Sequence, residues 1–417
     1  MMAQQLTIAT LSVAIGKLVL GPVIDHYGGK QSLQVALFSL FICLLVISFC
    51  QSFMIFGIAW ILIDFIFSAC WPACISTIHD YYTTTTDWST QIGYLAASAR
   101  AGNTMAFLLF AAIIHVGTKY VPYIKQSWRP VFFVAAGIQL IPFTLLSIYG
   151  KRHDRSKSST TTSTLTTDIL LNSAANAKDV SINAVHDKPT PTAISTATSK
   201  SPNILSAVIS TLHREVRNVD FWFHLINRSM LMIYGSFLLF VPTYMTQIFH
   251  TTNTYGAQIG SLYAMGCLLS VTTISKYYPT MMKRSKLWYI TILLFFGATG
   301  SSLLQLAHVS GYIHLSTMLS SVLLFTWGFS FAVPFYIPPS LYALSRGGTT
   351  KTSSSRSSTA TITDIFDIGG FTLLAIFNGY VTGINHSQLS AWIPTFAITT
   401  ICAMVSYLAL FVTTWRE

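Results

Sequence analysis

Five ionisable residues stand well inside otherwise apolar stretches of this 417-residue chain: Lys17, Arg100, Arg228, Asp364 and Asp367. A charge in that setting is costly, so it marks the path of a charged solute, a coupling site or an internal ion pair. Lys17 precedes Asp25 by two helical turns, about 12 Å at 1.5 Å per residue, and Arg100 lies about 16 Å into its own segment. Two cations at similar depth repel unless an anion sits between them, so Lys17 and Arg100 point to a site for an anionic solute. The alternative has Lys17 reaching back to the interface and Arg100 pairing with Asp64. Asp364 and Asp367 share one helix face, and Arg228 lies deep enough to meet them. That trio reads either as an ion pair locking the second half or as a site with one proton-coupling carboxylate. Asp25, at a helix–loop boundary, is placed to hold helix ends together through a neighbouring N-terminus. No nucleophile–base pair, nucleotide-binding loop, haem motif or metal-ligand spacing accompanies these residues. The expectation is a protein that is not an enzyme and has no cofactor or metal.

The elements that position these charges are membrane spans. Hydrophobic residues make up 52% of the chain and charged residues 9%, with a mean hydropathy of +0.56, a balance that soluble globules rarely show. Eleven stretches approach or exceed the roughly 20 apolar residues a spanning helix needs: 5–25, 31–50, 53–78, 89–116, 129–150, 219–248, 257–276, 287–307, 313–342, 357–382 and 390–414. None shows barrel-type alternation, so the expected class is an all-α polytopic membrane protein. No cleavable secretory signal stands out. Cys43, Cys50, Cys70, Cys74, Cys267 and Cys402 lie in or at the ends of these stretches and read as packing residues.

A polar, Ser/Thr-rich, basic stretch at 151–217 cannot bury enough apolar surface to fold alone and reads as a flexible linker. It separates an N-terminal bundle (1–150, five segments) from a C-terminal bundle (218–417, six segments). Basic residues gather in the Asp25–Lys30 loop, the linker, 276–286 and 346–356, whereas the opposite loops carry few beyond Lys119, Lys125 and Arg129. The positive-inside rule then puts the first group in the cytoplasm and residue 1 outside. The net charge of +11 follows topology, so it is no sign of a nucleic-acid partner. The expected partners are the lipid bilayer and a small-molecule solute, with the protein acting as a monomer.

The run Gly16-Lys17-Leu18-Val19-Leu20-Gly21-Pro22-Val23-Ile24-Asp25-His26-Tyr27-Gly28-Gly29-Lys30 resembles the loop motif of the major facilitator superfamily, which links the second and third helices on the cytoplasmic side. The resemblance covers the whole chain. It implies two helical bundles around a central cavity, and a gate built from Gly21, Asp25, Gly28 and Lys30. Only one apolar segment precedes the motif, so the first helix of the family plan is expected to be missing. The organophosphate:phosphate antiporter branch is the most similar. Its helix 2 lysine corresponds to Lys17, and its Trp-Pro-x-Cys signature to Trp71, Pro72 and Cys74. Its helix 5 Ala-His-Asn-x-Gly context corresponds to Ala99-Arg100-Ala101-Gly102-Asn103. The family's helix 7 Tyr-Gly and Pro-Thr-Tyr runs are matched loosely by Tyr234-Gly235 and Pro242-Thr243-Tyr244. His26 and Gly29 replace the usual basic residues of the loop. The branch's arginine before the Tyr-Gly is replaced by Ile233.

These features imply a secondary carrier of a small organic anion, of the sugar-phosphate antiporter type, working by alternating access. Lys17, Arg100 and Asp64 are the expected solute contacts. A membrane sensor of the same fold that transports nothing, or an inactive truncated product, is the alternative.

Overall fold

The computed structural model describes residues 2–82, 84–120, 129–149, 204–310, 316–347, 358–383 and 392–416. Every regular element among them is helical, as the bilayer requires of backbone that has no water to bond. The N-terminal part holds α1 (Met2–Tyr27), α2 (Gly29–Phe49), α3 (Phe53–Phe67), α4 (Cys70–Tyr81), α5 (Thr85–Tyr120) and α6 (Arg129–Tyr149). After α7 (Ile204–Val216), the C-terminal part holds α8 (Val219–Ser236), α9 (Val241–Ile248), α10 (Asn253–Ile274), α11 (Lys283–Ser310), α12 (Thr317–Gly347), α13 (Thr359–Gly383) and α14 (Trp392–Arg416).

Among the described residues nine helices are long and apolar enough to cross a membrane, and the α8–α9 pair, bent by 50°, makes a tenth. The eleventh expected segment falls on α5, which at 36 residues exceeds the bilayer's thickness but is not one of the nine. Two segments read as continuous are broken. The first is interrupted at Ser68–Ala69, between α3 and α4, four residues before Pro72. The second passes through a 3₁₀ turn, Phe237–Leu239, just before Pro242. In both, a proline withholds the N–H that a continuous helix needs.

The linker also differs from expectation at its end. Residues 204–216, read as flexible, form α7. Leu205, Val208, Ile209, Leu212 and Val216 recur at helical spacing, a pattern hidden by the surrounding Ser/Thr-rich composition. Glu215 is buried on α7, where it accepts from the Tyr342 hydroxyl at 2.9 Å and from Arg214 Nε at 2.7 Å. The rest of the proposed linker, 151–203, lies outside the described residues.

The two parts are packed differently inside. The C-terminal part encloses a continuous aromatic core in which Trp327 stacks on Phe237 at 4.7 Å and Trp392 and Phe396 close around them. Tyr234 and Tyr244, from the loosely matched helix 7 runs, are fully buried in that core. A small cluster of Ile24, Ala36, Ala69 and Ala73 joins α1, α2 and α4, with Ala360 of α13 packed into it. The parts meet along two seams, α1 against α13 and α5 against α10.

Candidate functional site

The α1–α13 seam is polar along its length. At one end the Asp25 carboxylate accepts from the Ala360 N–H (3.0 Å), the Thr361 N–H (2.8 Å) and the Thr361 hydroxyl (2.6 Å). An anion therefore caps the first turn of α13, where free N–H groups and the helix dipole both favour negative charge. Gly28 follows at φ +93°, a backbone conformation that glycine adopts without strain, and starts α2. Lys30 is half-buried in the first turn of α2. At the far end of the seam Asn378 Nδ2 donates to Thr10 Oγ1 at 3.3 Å.

Midway along the seam lies the densest group of charges. Lys17 Nζ reaches Asp364 Oδ1 at 3.1 Å and Asp367 Oδ2 at 2.8 Å, and it donates to the Ser68 carbonyl at 3.1 Å. Arg228 Nε holds the other oxygen of Asp367 at 2.7 Å. All four side chains are buried, with two positive and two negative charges. Gly21 makes this seam possible, because a Cβ there would overlap Asp364 Oδ2.

The prolines supply this group with acceptors. Pro72 cannot donate to the carbonyl four residues back, and that carbonyl, Ser68 O, is the one Lys17 takes. In α12, Pro338 and Pro339 free Pro334 O and Phe335 O in the same way. Asn227 Nδ2 binds the first at 3.1 Å and an Arg228 terminal nitrogen binds the second at 2.8 Å. Each of these prolines thus creates an acceptor for a buried donor.

Arg100 is set apart from this group. Its Nη2 lies 2.6 Å from the Tyr336 hydroxyl, and its guanidinium faces the rings of Phe331 and Tyr336 at 5.4 and 5.3 Å. No carboxylate pairs with it among the described residues, and its Nε is buried without a hydrogen-bond partner. The expected alternative, a pair with Asp64, is not formed. Asp64 is on α3, whereas α5 packs against α4, beyond the break. Trp71 lies with its ring 5.1 Å from that of Tyr336, and its indole N–H is also buried and unpartnered. Cys74 lies one turn further along α4 as a free thiol.

Tyr336 thus stands between two regions. Arg100 and Trp71 border it, and Arg228 lies 5.8 Å from its ring. Nothing in the sequence singled it out, since a lone tyrosine in an apolar helix reads as core. A half-open, mostly apolar pocket of about 420 Å³ among Leu20, Val23, Val35 and Phe65 contains none of the candidate residues.

Nine or ten candidate spans among the described residues, in two sets of helices closed on each other through a buried ionic seam, mark an integral multi-pass membrane protein. The family model described as Major Facilitator Superfamily matches residues 2–363, and the chain belongs to that superfamily. It is accordingly a membrane transporter. No curated protein matches the chain.

Proposed function

We propose that the chain carries a small organic anion by alternating access, and that Arg100 supplies the charge that selects it. The observation behind this is a half-buried arginine that lacks a carboxylate partner among the described residues and whose buried Nε has no hydrogen-bond partner, next to a second unpartnered N–H on Trp71. Buried donors are nearly always satisfied, so two on one tyrosine ring mark a place for an acceptor. A guanidinium presents a planar fork that fits a carboxylate or a phosphate. A phosphate monoester is the first class to test, supported by the resemblance of Lys17, Trp71, Pro72 and Cys74 to the organophosphate:phosphate branch.

In this reading the Asp25 end faces the cytoplasm and is closed. Gly21, Asp25, Gly28 and Lys30 form the gate there, and Lys17, Asp364, Asp367 and Arg228 lock the seam. The two bundles of a single chain would border the site, so the working unit is a monomer. Rocking of one bundle against the other would expose the solute to each side in turn. Energy would come from a co-transported or exchanged ion.

The test is uptake by the purified full chain in liposomes, using radiolabelled inorganic phosphate, glycerol 3-phosphate, lactate and, as a neutral control, glucose. The expected result is saturable uptake of at least one anion, lost in Arg100→Ala and partly kept in Arg100→Lys. Uptake of an anion that is unchanged in Arg100→Ala would remove Arg100 from the site.

A further inference from the structure

We propose that Asp364 is a proton-binding site and that a proton taken up there travels with the anionic solute, an inference that rests on the anion-carrier reading above. The two seam aspartates are not equivalent. Asp367 receives one cation from each side of the seam, Lys17 from α1 and Arg228 from α8. Asp364 receives Lys17 alone, through Oδ1. Its Oδ2 is buried without a hydrogen-bond partner and lies against Gly21. A buried carboxylate with half its acceptor capacity unmet depends on its single cation to stay ionised.

That cation is on the opposite side of the seam. Any motion that parts α1 from α13 carries Lys17 away, while Arg228 stays beside α13 on α8. Asp367 keeps a partner at 2.7 Å, and Asp364 keeps none. The groups acting directly on Asp364 are Lys17 and Asp25 from α1 and Asp367 from its own helix. The helices packed against α13 also carry Cys70 on α4, Arg228 and His224 on α8, Tyr336 and Tyr342 on α12, and Glu215 on α7. Of these only Arg228 is a fixed cation, and Asp367 and the Phe335 carbonyl already engage it.

The exchange balances without another reactant. In the closed seam Lys17 ammonium pairs with Asp364 carboxylate. On opening, Lys17 leaves Asp364, which accepts a proton from water to become a neutral acid, while the solute anion sits at Arg100 and offsets the added charge. On closing, Lys17 returns to Asp364, the acid releases its proton, and the solute leaves. One proton and one anion move together, and the charge of the group is the same before and after. For a monovalent anion the loaded step carries no net charge, so an inside-negative membrane potential does not oppose it.

The proton site can be tested without knowing the solute. Infrared difference spectra of the full chain in liposomes, recorded while the pH is stepped, report the carbonyl stretch of a protonated carboxylic acid. The expected result is a set of titrating bands in the native chain from which Asp364→Asn removes one component that Asp367→Asn retains. If Asp364→Asn does not fold, Lys17→Gln serves instead, and it should show that component already at neutral pH. Native and Asp364→Asn spectra that are the same, or no added acid component in Lys17→Gln at neutral pH, would overturn the proposal. In the flux assay, an inward proton gradient should drive accumulation of the transported anion in the native chain and fail to do so in Asp364→Asn. Accumulation in the native chain that ignores the gradient would overturn coupling while leaving anion transport intact. Absence of any anion uptake would instead fail the carrier reading, with the infrared result still deciding whether Asp364 binds a proton.

Discussion

Lys17, buried, and Arg100, half-buried, are both cations contributed by the N-terminal part, yet their surroundings are opposite in kind. Lys17 has its three donors on three acceptors, two of them carboxylate oxygens across the seam. Arg100 has a phenol, two aromatic faces and a spare N–H. The difference separates two uses of buried charge. In the carrier reading, the saturated cation fixes the position of one helix against another, and the unsaturated one is left for the solute. Intramembrane charge alone does not distinguish them, because both are cations at similar depth.

The sharpest way to break this comparison is to remove each charge in turn and measure stability. Lys17→Met strands Asp364 and leaves Asp367 with Arg228 only, and breaking a buried pair costs about 3–5 kcal/mol. Combining it with Asp364→Asn should restore part of that loss, because the uncompensated carboxylate goes too. Arg100→Met strands no carboxylate and should cost clearly less, while abolishing anion uptake. Thermal unfolding of the purified variants gives the ranking. Equal losses for Lys17→Met and Arg100→Met would mean that Arg100 has a partner as strong as those of Lys17.

A smaller effect falls on the boundary between the regions. Tyr336→Phe removes the hydroxyl bonded to Arg100 but keeps the ring between Arg100 and Trp71. A hydrogen bond to a charged group is worth about 1.5–3 kcal/mol. In the carrier reading that hydroxyl positions the guanidinium, so anion affinity in the uptake assay should weaken while the lock at Lys17 holds. If stability drops and affinity stays, the tyrosine serves packing and not the site.

How far the sequence reveals all this follows from what local pattern can carry. The spans were legible because bilayer crossing demands long apolar runs, and the five buried charges because they interrupt those runs. The partners were not legible. Lys17 and Asp364 are 347 positions apart, and depth along separate helices cannot say which faces meet, so Lys17 was grouped with Arg100 and Arg100 with Asp64. The prolines are plain in the sequence, but the carbonyls they free become meaningful only once a donor arrives from another helix. Tyr336 was invisible because its role depends on α5 and α4 converging on α12. The helix at 204–216 was masked by averaging over a polar stretch, although its own apolar spacing is regular.

The mildest perturbation tests whether the lock and the gate act separately. Asp25 caps α13 through two N–H groups and a hydroxyl, one turn before Asp364 on the same helix. Replacing a capping carboxylate with Ala costs about 0.5–2 kcal/mol, which corresponds to roughly a two- to thirtyfold change in a local opening equilibrium. Asp25→Ala should therefore raise hydrogen exchange at Ala360 and Thr361 by a factor in that range. Asp25→Asn keeps an acceptor oxygen and loses the charge, so it should fall between Ala and the native residue. Amides of α1 around Lys17 should exchange as before, because the ion pairs there do not depend on the cap. If exchange around Lys17 rises in step with that at Ala360, the seam opens as one unit, and the gate at Asp25 and the lock at Lys17 are a single device.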